Sequence, residues 1–231
     1  MGFKQSNEVA LFRQLEALSS EEQSQLKNLR QYLTSIGKAC IAYSGGVDST
    51  LVAAIAHEQL GENSLAITGI SPALAPNLLL EARQQAKWIG IQHKECSTNE
   101  LSDPKYTVNP EDRCFACKRE LHFQLKLIAK EANGSKVIDG VNHDDLSDHR
   151  PGIQASQQAG VLSPLAELKI SKANIRNISK ALSFPWWDKP AEPCLASRFP
   201  YGESITAQRL QQVAKAEAWL KTNGISEVRV R

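Results

Sequence analysis

Apolar positions recur along this chain first at helical spacing and then in short strand-like runs. Leu11, Leu15 and Leu18 keep the three- and four-residue steps of one helix face, and Leu26, Leu29 and Leu33 keep them again for a second helix. Ser19 to Gln23 offers overlapping capping boxes for that second helix, and Gly37 stops it. From residue 40 onward the runs alternate. Residues 40–43, 65–70, 91–96 and 137–140 read as strands, and 50–60, 76–89 and 113–132 read as helices, with Gly90 closing the second of these. Residues 97–112 read as polar loop. Strands separated by helices of this length need crossover connections. The pattern therefore predicts an α/β fold, a parallel sheet with helices on both faces.

Beyond about residue 150 the character changes. A helical stretch over 171–182 leads to Phe184, Trp186 and Trp187, then to a loop that reaches Ile205. Thr206 can cap a last helix over 207–222, which Gly224 closes, and Val228, Arg229, Val230 and Arg231 alternate as a strand does. Three parts are expected: N-terminal helices over 1–37, the α/β domain over 38–183, and a smaller C-terminal region over 184–231. A strand pattern that starts at the last residues reads as an interrupted element, so this last part is expected to be incomplete.

Composition changes the picture little. In 231 residues, 27 Lys and Arg face 25 Asp and Glu, and a net charge of +2 argues for neither nucleic acid nor a membrane surface. No apolar run approaches the ~18 residues of a membrane span, and the N-terminus lacks the apolar core of a secretory signal. Gly2 and Ser6 match a myristoylation pattern, a short motif of low specificity. Five cysteines, an odd number without an export signal, argue against a disulfide framework and for a reducing cytoplasm.

The most informative segment runs Ser44-Gly45-Gly46-Val47-Asp48-Ser49-Thr50, between a strand and a helix. Two glycines let the backbone approach an anion, the helix N-terminus aims N–H groups at it, and Ser44, Ser49 and Thr50 add hydroxyls. Asp48 would repel phosphate by itself, so Mg²⁺ between the two is the natural reading. The Walker spacing is absent. The segment resembles the PP-loop of the N-type ATP pyrophosphatases, whose signature is S-G-G-x-D-S. That resemblance implies the adenine nucleotide hydrolase-like fold, and cleavage of ATP to AMP and pyrophosphate with adenylation of an acceptor oxygen. It also implies that Ser71, in Gly69-Ile70-Ser71-Pro72, stands where the family holds adenine. Gly140, in Asp139-Gly140-Val141-Asn142-His143-Asp144-Asp145, falls on a second stretch that resembles the family.

The cysteines bear on the acceptor. Cys114 and Cys117 open a helix, whose dipole favours thiolates, and Cys194 supplies a third thiol. A zinc site wants four ligands, for which His122 would have to serve. A thioredoxin-like pair would leave Cys194 idle. Three thiolates that leave one iron open would suit a [4Fe–4S] cluster. Cys40 reads as core and Cys96 as structural.

The stretch from Asp188 to Gly202, D-K-P-A-E-P-C-L-A-S-R-F-P-Y-G, closely resembles the LarE family, ATP-dependent sulfur transferases of the nickel-pincer nucleotide cofactor of lactate racemase. The resemblance runs from the phosphate loop to Arg231. It implies ATP and Mg²⁺ on Ser44, Gly45, Gly46, Asp48 and Ser49. It implies a pyridinium mononucleotide as substrate, and sulfur delivery at Cys194. Members use either one sacrificial cysteine or three that hold a cluster, and Cys114 and Cys117 place this sequence with the second kind. Ser197, Arg198, Glu217, Arg229 and Arg231 fall where the family is expected to hold substrate phosphate or metal. The resemblance also implies a homo-oligomer, a hexamer. Two rival readings share the loop: a three-cysteine tRNA thiolase, for which +2 offers little support, and a non-sulfur adenylating amidotransferase with a structural zinc.

Overall fold

The computed structural model describes residues 12, 14–147, 151–225 and 227–231. The myristoylation pattern at Gly2 and Ser6 and the start of the expected first helix at Leu11 lie outside the described residues. Leu15 and Leu18 follow in irregular chain, which the Leu15 N–H ties to the Ala181 carbonyl at 2.8 Å. Helix α1 spans Ser20–Ile36, where the capping box forms in full: the Ser19 hydroxyl accepts from the Glu22 N–H at 3.2 Å, and the Glu22 carboxylate accepts from the Ser19 N–H at 2.8 Å.

Alternation follows as the hydrophobic pattern predicts. Strand β1 is Ala39–Ala42, helix α2 Val47–Leu60, strand β2 Ser64–Ile70, helix α3 Pro76–Ile89 and strand β3 Gln92–Ser97. The expected polar loop holds a short helix α4, Pro104–Thr107, before α5, Arg113–Glu131, and β4, Lys136–Ile138. Helices α6 (Pro151–Gln158) and α7 (Pro164–Glu167) have no counterpart in the sequence reading. Helices α8, Lys172–Ala181, and α9, Ala207–Thr222, stand where expected. Residues 228–231 form no strand. Their alternation survives only as exposure, with the arginines out and the valines half-buried.

The four strands are all parallel in the order β3-β2-β1-β4, with Cys40 level with Leu65 on one side and Val137 on the other. Side chains of β1 alternate between faces. Ala39 and Ile41 join a core with α1, α2, α3 and α8, while Cys40 and Ala42 join Leu125, Ala129 and Val137 on the α5 face. Helix α2 is buried all round, because Ala53, Ala54 and Ala56 let it lie close to both the sheet and the outer helices. Phe12, Trp88, Phe184 and Trp186 interlock at ring separations of 5.1–6.0 Å and seat the start of the C-terminal region. A third cluster joins Ala73 and Tyr106 to Leu195, Phe199 and Leu210, packing that region over the carboxyl ends of the strands. Among the described residues no helix is long and apolar enough to cross a membrane.

Leu33 of α1 is wholly buried in the main core. Leu33→Ala is expected to lower stability by about 2–5 kcal/mol. Urea unfolding monitored by circular dichroism measures it, and a loss under about 0.5 kcal/mol, as at surface positions, would show α1 to be dispensable to that core.

Candidate active site

The chain passes from β1 to β2 and β3 in one direction across the sheet, then returns to place β4 on the other side of β1. Between β1 and β4 the strand order reverses, and the loops leaving two such strands part to make a crevice. The loop after β1 is Tyr43–Gly46, and the loop after β4 begins at Asp139 and Gly140. Gly45 takes a φ of +70°, which turns the chain into α2, and a Cβ there would lie 3.0 Å from the Ala82 backbone. At Gly140 a Cβ would stand 2.7 Å from the Ser49 nitrogen. The second loop thus lies directly against the first turn of α2, and only glycine permits it.

Ser44 and Ser49 hydroxyls meet at 3.1 Å, and the Ser49 hydroxyl donates to the Gly46 carbonyl at 3.2 Å, which holds the loop open over the helix N-terminus. Asp48 is clamped by Lys172, whose Nζ lies 2.8 and 2.6 Å from its two oxygens. Lys172 is the first residue of α8, and its backbone N–H donates to Asp144 at 2.8 Å. Burial raises the Asp48 pKa, Lys172 opposes that shift, and the Asp145 charge adds to it. Two carboxylates that repel across a phosphate loop are a setting that a divalent cation relieves. Asp139 is buried beneath them, its carboxyl also raised by burial although Ser163 donates to it at 2.8 Å.

These groups line a cavity of about 1010 Å³. Ser44, Gly46, Asp48, Ser49, Ser71 and Gly140 stand on its wall, and so do Cys114, Cys117 and Cys194. All five cysteines are free thiols, Cys40 buried in the core and Cys96 half-buried beside it. Cys114 and Cys194 are exposed. Burial, then the nearby Glu100 charge, pushes the Cys117 thiol up to about 12. The atoms around Cys194 also raise its thiol; Cys114 adds to the rise and Arg113 opposes it.

Among the described residues no three His, Cys, Asp or Glu side chains gather as ligands of one ion. The zinc reading required His122, and the structure turns that ring away: Nε2 lies 2.8 Å from the Ser156 hydroxyl, deep in the α5–α6 contact. Sulfurs around a four-iron cluster stand farther apart than the ligands of a single ion. Cys114, Cys117 and Cys194 line the same cavity, and three thiols are the donor set that such a cluster would take.

The remaining expected residues form a second centre. Arg198 and Glu217 make a buried two-point pair at 2.7 and 2.9 Å. The third Arg198 nitrogen donates to the carbonyls of Pro193 at 2.8 Å and Cys194 at 3.2 Å, and to the Ser197 hydroxyl at 3.0 Å. Glu217 also accepts from the Val230 N–H at 3.0 Å. Burial alone would raise its carboxyl, but Arg198 and that N–H hold it below the ordinary range. Arg198 is therefore spent on the backbone that carries Cys194. Gly45, Ser197, Arg198, Glu217, Arg229 and Arg231 do not stand on the cavity wall. Lys172, Lys118 and Asp139, which the sequence reading did not assign, stand in or at the cavity. Only tertiary structure reveals Lys172, which meets Asp48 across 124 residues, whereas Lys118 and Asp139 stand beside Cys117 and Gly140 in the sequence.

Burial, with the Lys118 and Lys126 charges, lowers the His122 pKa from 6.5 to about 4. The unfolded chain takes up this proton near pH 6.5 and the folded chain only near 4. The stability is whole above pH 6.5 and falls as pH drops toward 4, by at most about 1.4 kcal/mol per unit. Urea unfolding at pH 7.0 and 5.5 is expected to show that loss in the wild type and a smaller one in His122→Gln. Equal losses would sink the assignment.

No protein-family model matches the chain. It is 56% identical over 209 residues to an uncharacterized protein of Synechocystis, covering 90% of this chain and 78% of that one. It is 32% identical over 200 residues to the pyridinium-3,5-bisthiocarboxylic acid mononucleotide synthase of Lactiplantibacillus plantarum, covering 86% of this chain and 72% of the relative. Two solved structures share the fold. The NH3-dependent NAD synthetase of Campylobacter jejuni is 19% identical, with a TM-score of 0.59 over 87% of this chain and 84% of that one. The NMN synthetase of Francisella tularensis is 18% identical, with a TM-score of 0.62 over 87% of each chain.

Proposed function

We infer that this protein, which belongs to the LarE family of PP-loop proteins, is an ATP-dependent sulfur transferase. Its substrate on this reading is pyridinium-3,5-biscarboxylic acid mononucleotide, and its product is the thiocarboxylate named in the Lactiplantibacillus relative. The observation that carries the reading is one cavity lined both by the phosphate loop and by three free thiols.

A substrate carboxylate is a poor electrophile, and adenylation gives it a good leaving group. A carboxylate oxygen attacks the α-phosphorus of ATP, the bond to the β-phosphate oxygen breaks, and pyrophosphate departs toward the first turn of α2. The N–H groups there and the Ser44 and Ser49 hydroxyls receive its charge. Asp48 would hold Mg²⁺, which when bound neutralises the phosphates. Lys172, which pairs with Asp48 in this structure, would bring a cation to the departing pyrophosphate. Ser71 and Gly140 flank the nucleotide. In the second step sulfide, supplied as a co-substrate, attacks the acyl carbon, the carbon–oxygen bond to AMP breaks, and thiocarboxylate and AMP result. Cys114, Cys117 and Cys194 would hold a [4Fe–4S] cluster, which when bound supplies the site of sulfur delivery. Thiocarboxylates are soft donors suited to nickel, in keeping with a nickel-pincer nucleotide as the end product.

Ser197, Arg198 and Glu217 serve this reaction by fixing the turn that presents Cys194. Arg229 and Arg231, both exposed, are assigned to the substrate phosphate, and a homo-oligomer is the assembly in which they would reach it. A reducing cytoplasm suits three unpaired thiols.

With ATP and the biscarboxylic mononucleotide, pyrophosphate release is expected to depend on that substrate. Asp48→Asn should slow it 100-fold or more, whereas Cys194→Ala should keep it and lose thiocarboxylate formation. A product amide formed with ammonia would overturn sulfur transfer. After anaerobic reconstitution, iron and acid-labile sulfide should come to about four each per chain and be lost in Cys114→Ala, Cys117→Ala and Cys194→Ala. Zinc in that preparation in place of iron would overturn the cluster.

A further inference from the structure

The cavity over the phosphate loop is rich in carboxylates. Among the described residues that line it, Lys118 is the one Lys or Arg, against Asp48, Glu100, Glu111, Asp112, Asp139 and Asp145. Five of these acids are accounted for. Glu111 and Asp112 are exposed to water. Asp48 pairs with Lys172, Asp139 accepts from the Ser163 hydroxyl at 2.8 Å, and Asp145 accepts from the Asn142 N–H at 3.1 Å. Glu100 differs from them all. It opens a single 3-10 turn, Glu100–Ser102, shortly after β3, and it is 2% exposed, yet its Oε2 meets no donor among the described residues.

A carboxylate taken out of water loses its hydration, and folded chains keep one where an opposite charge or a set of donors completes it. The chain supplies neither here. Arg113 is buried too, but its guanidinium carbon lies 5.0 Å from the centre of the Tyr201 ring, and its Nε and Nη1 meet no acceptor. A metal ion does not fit the place either, because among the described residues no three His, Cys, Asp or Glu side chains gather around one. A lone buried carboxylate on the wall of a cavity of about 1010 Å³ suits an organic cation brought by the ligand. A pyridinium ring is such a cation. Its nitrogen is bonded to three carbons and has no N–H, so the charge spreads over the ring and is met by attraction rather than by a hydrogen bond. That attraction is stronger in a wall with little water than in solution.

We propose that Glu100 is a specificity-determining residue of this cavity, whose buried carboxylate receives the positive charge of a pyridinium ring and selects it over a neutral ring of similar shape. The inference rests on reading the substrate as a pyridinium mononucleotide. The other charged parts of that substrate, two carboxylates and a phosphate, are anions, for which a buried acid is no partner. Only the ring can complete Glu100. A ring held there lies in the cavity that the phosphate loop and the three thiols also line.

The test measures dissociation constants by isothermal titration calorimetry for pyridinium-3,5-biscarboxylic acid mononucleotide and for its 1,4-dihydropyridine form. The second keeps both carboxylates and the phosphate but has a neutral ring. Wild type is expected to bind the pyridinium form about tenfold or more tightly than the neutral one. Glu100→Gln keeps the shape and removes the charge. It should bring the two affinities to within about threefold by weakening the pyridinium form alone, while Glu100→Asp retains a preference and ATP affinity stays at the wild-type value. Equal weakening of both forms, or weaker ATP binding, would overturn the proposal, since Glu100 would then meet a donor that those ligands share. An undiminished preference in Glu100→Gln would overturn it as well. If Glu100→Gln loses the wild-type circular dichroism, the wild type decides: equal affinities for the two forms would overturn the proposal and the tenfold preference would support it. Failure of the substrate reading is seen separately, as a wild type that binds neither mononucleotide, and it would take this inference with it.

Discussion

Parallel pairing of β1 with β2 on one side and β4 on the other fixes where two chain segments leave the sheet beside each other. β1 is only four residues long, and it is buried on both faces because helices cover the sheet on each side. Parallel strands cannot be joined by tight turns, so each connection must cross a face as a helix. The loop after β1 consequently runs straight into α2 and exposes its N-terminus. The loop after β4 arrives at the same height and presses Gly140 against Ser49. The crevice over the loop is thus a product of strand order rather than of the loop sequence alone. The same Ser-Gly-Gly-Val-Asp-Ser segment placed after an edge strand would have no opposite wall.

The second half of the site depends on a different interaction. Cys194 lies in a stretch with little regular structure, Asp188 to Pro200, and such a stretch needs hydrogen bonds from elsewhere to hold one shape. Arg198 supplies them on one side by joining Glu217 of α9 to the carbonyls of Pro193 and Cys194. Lys189 supplies them on the other, with its Nζ 2.6 Å from Glu81 and 3.3 Å from the Gly45 carbonyl. The segment that carries the sulfur is pinned to the phosphate loop at one end and to the last helix at the other. An Arg–Glu pair as buried as this one is weak evidence for net stability, because desolvation offsets most of the attraction. Its value lies in geometry, since a guanidinium fixed by a carboxylate can hold two carbonyls in a set direction.

How much of this was legible in the sequence follows from the range of each interaction. The capping box at Ser19 and Glu22, the Thr206 cap and the Gly90 stop act within a few residues; α3 and α9 take the expected bounds 76–89 and 207–222, and α1 ends at Ile36, before the expected stop at Gly37. The phosphate loop was legible for the same reason: its glycines, hydroxyls and helix start are consecutive. Helices α6 and α7 were not, because they are short and their apolar positions are too few to show a period. The expected strand at 228–231 had the right alternation but finds no neighbour to pair with, and alternation alone does not make a sheet. Lys172 meets Asp48 across 124 residues, and no local signal marks it. Arg198 and Glu217 were expected at substrate phosphate or metal, and their contacts instead join them to each other and to the backbone of Cys194.

The two half-sites are tied together by charge as well as by backbone. Lys118 follows Cys117 directly, lines the cavity, and packs so closely on Gly152 that a Cβ there would lie 3.0 Å from its Cγ. Its charge acts on Cys117 at the thiol wall and on Asp139 beneath the phosphate loop. Lys172 pairs with Asp48, which lines the same cavity, while the bulk of the chain is nearly neutral. On the proposed reaction, the phosphate of an acyl-adenylate would meet both cations. A single acyl-adenylate, a mixed anhydride that water would hydrolyse, would on that reaction meet both half-sites without leaving the cavity.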